Sequence, residues 1–265
     1  MTAEVNIPDH FLAMLEGADP SWRPILRQGL AAVALAEPAY LPALAKDDYL
    51  PTDGRIFAAF AQPLASVRFV LVGEGPYPRA NSATGVCFMD GAVRELWSEN
   101  GLSKPVNRAT SLRNFMKMLL VADGTLQPDA TSGAAMTEVA HKARARGSPY
   151  IQTLQELQQN LIDRGFLLLN AALVFRGHVA PARDAKAWQP FLNTVLAALE
   201  AHTHAARREP ATLVLWGKIA EALDALPLHD AFPKVIAEHP YNLTFILNPL
   251  MQELFGPMHL LRRAG

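Results

Sequence analysis

Four apolar runs in this chain each end on a residue type that the interior of a sheet would not choose. Arg68 to Gly73 runs into Glu74, and Phe166 to Leu169 into Asn170. Ala211 to Leu215 runs into Trp216 and Gly217, and Lys234 to Ala237 into Glu238, His239 and Pro240. A carboxylate, a carboxamide and an imidazole all hydrogen-bond polar ligands, and the first and last also carry protons. In an open parallel sheet the carboxyl ends of the strands face one crevice, where ligands bind. The placement predicts that Glu74, Asn170 and His239 converge, although they are far apart in the chain. Singly, each has a plainer reading, because Asn at a strand end forms turns and His before Pro sits in loops. Their shared position at strand ends is what argues for a site.

The stretch from Val70 to Asp90 carries the most local information. An apolar, β-branched run with the composition of a doubly buried strand empties into Gly73, Gly75, Pro76 and Pro78, so no helix can follow at once. The chain then returns through Gly85 into Val86, Cys87 and Phe88. Such a stiff loop on a rigid strand is either a surface connection or one wall of a pocket.

The elements that must position these residues follow from periodicity. Before Arg68 the apolar spacing is helical around Phe11 to Leu15, Trp22 to Leu35 and Ile56 to Leu64, with Asp53 as an N-cap for the third. Further helices are predicted over Thr110 to Leu120, capped by Thr110 or Ser111, and over Ile151 to Arg164, stopped by Gly165. Others are expected at Trp188 to His202, at Lys218 to Leu226, and in whole or part over Leu250 to Arg263. Residues 122–148 are small and polar, with helical hints. Strands alternating with helices imply right-handed crossovers and a three-layer α/β/α fold around a mainly parallel four-stranded sheet. The expectation is a single domain over residues 1–265, with 1–66 as helical cladding and 67–265 as the catalytic core.

Composition bounds the rest. Of 265 residues, 50% are hydrophobic and 18% charged, with a net charge of −1 and a pI of about 6.7, which marks a globular chain without a global basic signature. One cysteine, Cys87, excludes an internal disulfide framework. The eight histidines are scattered, and neither G-x-G-x-x-G nor a P-loop occurs, so no metal or cofactor is expected. The N-terminal residues lack a basic and apolar leader, and no run approaches a membrane span. These features suggest a cytoplasmic protein.

The ordered motifs resemble the uracil-DNA glycosylase superfamily, most closely its first family. The pocket motif G-Q-D-P-Y-H…G-x-C-F is matched by Gly73, Glu74, Gly75, Pro76, Tyr77 and Pro78, then Gly85, Val86, Cys87 and Phe88. The family's P-P-S-L resembles Ala109 to Leu112, and its L-L-N-x-x-L resembles Leu168 to Leu173, with Gly177 and His178 after it. Its L-L-W-G resembles Val214 to Gly217, and its H-P-S-P-L-S loop resembles His239 to Thr244.

The resemblance implies a DNA repair enzyme that extrudes uracil and hydrolyses its N-glycosidic bond. Phe88 would stack on the base, Tyr77 would exclude the thymine methyl, and Asn170 would read N3–H and O4. His239 would donate to O2 of the departing uracil anion, beside backbone N–H groups near Glu74 and Phe88. Leu243 would fill the gap left by the base. Ala109, Ser111, His178, Lys218, Tyr241 and Thr244 would contact DNA, with Arg113, Lys218 or Arg176 as charge partners of the phosphates. Expected partners are uracil-containing DNA, abasic DNA and free uracil, bound by a monomer.

The family's catalytic aspartate falls on Gly75. Three explanations stand: Glu74 turns inward to substitute, the glycine is an engineered loss of function, or a slow enzyme works through His239 and the anion pocket. A catalytically inactive relative that binds uracil or abasic sites is the alternative function.

Overall fold

The computed structural model describes residues 6–224 and 231–263. In chain order the elements are α1 (Asp9–Met14), α2 (Arg23–Ala36), α3 (Tyr40–Leu44), β1 (Phe69–Gly73), β2 (Trp97–Ser98), β3 (Gly101–Leu102), α4 (Lys104–Arg108) and α5 (Thr110–Ala122). They continue with α6 (Gly133–Arg144), α7 (Leu154–Asp163), β4 (Phe166–Asn170), α8 (Pro181–Ala205), β5 (Thr212–Trp216), α9 (Ile219–Asp224), β6 (Lys234–Ala237) and α10 (Pro249–Phe255).

The four apolar runs form one sheet in the order β4-β1-β5-β6. β1 pairs in parallel with β4, Phe69 opposite Phe166 and Gly73 opposite Asn170, and in parallel with β5, Phe69 opposite Thr212. Leu213 N donates to Pro233 O and Gly217 N to Ala237 O, so β6 runs the same way beside β5. Every residue of β4 is buried, as a continuous apolar run in a parallel sheet requires. The register sets Gly73 and Asn170 side by side at the carboxyl edge.

The chain packs as two compact units. The first comprises Met1–Asp90, Gly165–Leu215 and Ile219–Lys234. Its core joins Trp22, Leu26 and Leu30 of α2 to Trp188, Phe191 and Val195 of α8, all fully or almost fully buried. The two helices approach closely at Gly29, where a Cβ would stand 2.5 Å from the Phe191 ring. The second unit comprises Gly91–Arg164, Trp216–Lys218 and Val235–Gly265. Its centre is aromatic: Phe115 of α5 lies 5.6 Å from Trp216 and 5.1 Å from Phe255, and Trp216 lies 5.4 Å from Phe245.

Several sequence expectations give way to local hydrogen bonding. Ile56 to Leu64 forms two 3-10 turns, Arg55–Phe60 and Leu64–Ser66, rather than an α-helix. Asp53 caps nothing: it sits at φ 60° and accepts from Thr52 Oγ1, while Gly54 precedes the turn. α5 begins after Ala109 with no side-chain cap, which leaves the hydroxyls of Thr110 and Ser111 unused for capping. α7 starts at Leu154 behind a capping box between Thr153 and Glu156, and α8 is longer at both ends than the apolar pattern. Residues 122–148 contain α6, and the β2–β3 hairpin carries no sequence signal strong enough to place it. α9 ends at Asp224, so its expected extension to Leu226 lies outside the described residues.

Candidate active site

In the first unit, the carboxyl edge of β1 and β4 assembles one wall. Asn170 is 5% exposed, a buried carboxamide at the end of an otherwise apolar strand. The segment after it runs alongside the pocket loop, with Ala171 N donating to Gly73 O at 2.8 Å and Ala172 N to Glu74 O at 3.1 Å. Cys87 N donates to Leu168 O at 3.0 Å and pins the returning arm of the loop to β4.

Two glycines make this packing possible. A Cβ at Gly85, where φ is 81°, would stand 1.9 Å from Arg55 O. A Cβ at Gly73 would stand 2.5 Å from Cys87 Sγ and 3.1 Å from Asn170 Oδ1. Gly73→Ala should therefore push the Cys87 arm and the Asn170 amide apart and cost about 1–3 kcal/mol, as overpacked cores do. A thermal-unfolding midpoint equal to the parent's would show that the strand edge yields without strain.

Phe88 has φ 67°, a left-handed conformation that a bulky residue adopts only when its surroundings impose it. Here Thr84 Oγ1 donates to Met89 O at 2.9 Å, and the half-buried Tyr77 hydroxyl approaches Phe88 O at 3.4 Å. Burial, with the nearby Asp90 carboxylate adding to it, pushes the Tyr77 phenol upward, so it remains protonated. Burial likewise pushes the Cys87 thiol up to about 12, which makes it a packing residue and not a nucleophile. Glu74 and Gly75 are both exposed beside this wall.

The second unit holds His239 and the residues after it. Tyr241 N donates to His239 Nδ1 at 3.1 Å, and Asn242 N donates to His239 O at 2.9 Å. Because Nδ1 accepts, a neutral ring carries its proton on Nε2 and can donate from there. Gly217, at φ 68°, lies close under the same residue: a Cβ there would stand 3.0 Å from His239 Cβ. Beyond the turn, Tyr241 and Leu243 are each 68% exposed, and Thr244 is exposed beside them. Asn248 closes the segment by accepting from Met251 N at the start of α10 and donating to Glu238 Oε2 at 2.7 Å.

The expected DNA-contacting residues divide. Ala109 and Ser111 lie at the uncapped N-terminus of α5, where backbone N–H groups and the helix dipole favour a phosphate. Lys218 is exposed next to Gly217. Arg113 is half-buried, with Nε donating to Asn114 Oδ1 at 3.2 Å. Arg176 is a correction. Its guanidinium is 10% exposed and bonds Asp184 at 2.6 Å and Asp47 at 2.9 Å, so it is spent inside the first unit and free for no phosphate. The hydrogen bond from its guanidinium in turn holds the Asp47 carboxyl below the usual range. His178 is exposed, with Nε2 3.1 Å from Asp47 Oδ2.

Sequence reasoning passed over Asn114. This α5 residue is fully buried, and its Nδ2 meets the carbonyl oxygens of Pro240, Tyr241 and Asn242 at 2.8, 3.3 and 3.3 Å. The available signal was a carboxamide placed between apolar Leu112, Phe115 and Met116.

The parallel sheet, the glycine-rich loop after β1 and the buried carboxamide at the end of β4 define an α/β protein with a polar strand edge. No protein-family model matches the chain. The crystal structure of wild-type UNG from Nitratifractor salsuginis matches it with a TM-score of 0.86 and 40% identity, covering 98% of this chain and all of that one. Uracil-DNA glycosylase 2 of Streptomyces avermitilis is 30% identical over 203 residues, 76% of this chain and 70% of that protein. The uracil-DNA glycosylase of Corynebacterium glutamicum is 26% identical over 225 residues, 84% and 80% of the two chains. The chain belongs to the uracil-DNA glycosylase family.

Proposed function

We propose that this protein is a DNA repair glycosylase that extrudes uracil and hydrolyses its N-glycosidic bond, leaving an abasic site. The observation that carries this reading is the buried Asn170 carboxamide at the carboxyl end of β4, beside Gly73 and the Cys87–Phe88 arm. A carboxamide accepts from one ring N–H and donates to the adjacent carbonyl oxygen, which is the N3–H and O4 pair of uracil. Cytosine reverses both positions and would leave buried polar groups unpaired, a large discrimination. Phe88 offers its ring for stacking, and Tyr77 blocks a C5 methyl.

Bond cleavage sends electrons into the uracil ring, and charge develops on O2. An Nε2–H donor on His239 stabilises that charge, and such a preorganised donor is worth about 3–4 kcal/mol. Gly75 supplies no carboxylate for water or for the oxocarbenium-like sugar, so the reaction is slow. Ala109, Ser111 and Thr244 hold phosphates, Lys218 and His178 line the DNA path, and Tyr241 and Leu243 enter the stack vacated by the base. The protein acts as a cytoplasmic monomer on uracil-containing DNA, and keeps affinity for its products, abasic DNA and free uracil. Among the described residues no helix is long and apolar enough to cross a membrane, and no side-chain cluster suits a metal ion.

Gly75 also favours a second reading, a relative that binds uracil or abasic sites without turnover. Incubating the protein in excess with a labelled oligonucleotide containing a single deoxyuridine separates the two. Alkali-labile breaks at the deoxyuridine, and none at a thymidine in its place, are expected. Preferential binding without breaks would favour the second reading, and the loss of both would end the account.

A further inference from the structure

We propose that Asn114 is a positioning residue that fixes the tautomer and orientation of His239 through the backbone of the turn that follows it. The proposal rests on the reading of His239 as the donor to uracil O2.

Asn114 belongs to α5, a helix whose other buried side chains are all apolar, yet it is fully buried. A buried carboxamide is retained only where its hydrogen bonds are made. Its Nδ2 group lies within 3.3 Å of the carbonyl oxygens of Pro240, Tyr241 and Asn242, the shortest contact being 2.8 Å to Pro240. Three consecutive peptide carbonyls can point at one nitrogen only if the turn wraps around it. Its Oδ1 accepts from Arg113 Nε at 3.2 Å, which orients the amide so that the N–H face is toward the turn.

The wrapped turn has a consequence for the imidazole. When the carbonyls of Pro240 and Tyr241 point toward Asn114, the peptide between Pro240 and Tyr241 turns its N–H the other way, and that N–H donates to His239 Nδ1. A backbone donor at Nδ1 excludes a proton there, so the neutral ring is protonated on Nε2. A second bond, Asn242 N to His239 O at 2.9 Å, closes the same turn. Asn114 touches neither the imidazole nor any position assigned to the base. Its effect passes through the peptide planes of residues 240–242.

The test compares the parent with Asn114→Ala, which removes the side chain, and Asn114→Asp, which keeps its shape and presents oxygen to the three carbonyls. Long-range proton–nitrogen correlation spectra of the 15N-labelled full chain report the tautomer, with the His239 signals assigned by their absence in His239→Gln. The parent is expected to show a bare Nδ1 and a protonated Nε2, and both variants a mixed or inverted pattern. Single-turnover uracil release should fall about 10–100-fold in the variants, as small misplacements of a catalytic group do, with the concentration for half-saturation by DNA little changed. A parent ring protonated on Nδ1, or variants that keep the parent's tautomer and rate, would overturn the proposal. The tautomer is read without turnover. A parent that releases no uracil would therefore count against the glycosylase reading and leave the spectra to decide the role of Asn114.

Discussion

Gly75→Asp should release uracil about 10²–10⁴ times faster than the parent, the range that a positioned acid or base contributes. The substitution fits. A Cβ at Gly75 meets only Ala172 Cβ and Ala172 O, both at the ordinary contact distance of 3.6 Å, and the glycine is not in the left-handed region. The backbone on which it stands is already fixed, because Gly73 O and Glu74 O accept from Ala171 N and Ala172 N. A carboxylate there would project from a rigid base at an exposed position, where it can orient water and face the positive charge that develops on the sugar. Single-turnover formation of alkali-labile sites measures the change. An unchanged rate would mean that another group already orients the water, and Glu74→Gln would then remove the activity.

Asn170→Asp should lower kcat/KM for uracil by about 10⁴–10⁵, the penalty seen when a site built to hydrogen-bond a group loses that match. The two side chains have the same shape, so the packing against Gly73 is kept and the thermal midpoint should change far less than the activity. What changes is the donor: an ionised carboxylate sets oxygen against uracil O4 where the amide set N–H. In its protonated form the same group would accept from the cytosine amino group and donate to ring N3, so any residual release should shift toward cytosine at acid pH. Paired oligonucleotides carrying deoxyuridine or deoxycytidine at one position measure both changes. Uracil release at the parent's rate would show that Asn170 does not read the base.

The strand edge was legible because it breaks a pattern. A strand buried on both faces is expected to be apolar throughout, so Asn170 at the end of a run of leucines is conspicuous in one dimension. Gly73, Gly75 and Gly85 were equally visible as breaks in local structure, although the reason for Gly73, the approach of Cys87 Sγ, requires two segments at once. The assignment of Arg176 failed for the same kind of reason. Its sequence neighbourhood shows an available cation, and only the folded chain brings Asp47 and Asp184 to it. The cap expected at Asp53 failed because Thr52 and Arg55 engage its carboxylate, and the one expected at Thr110 or Ser111 failed because both lie inside α5, with Ala109 in the N-cap position.

By itself the sequence determined the alternating α/β order, the four strands and the polar residues that end them, since each depends on patterns spanning a few residues. The left-handed Phe88 and the clamp of Asn114 on residues 240–242 were decided by tertiary structure alone. The clamp joins residues 126 positions apart, and a single buried hydrogen bond of that reach leaves no period in the chain from which to read it.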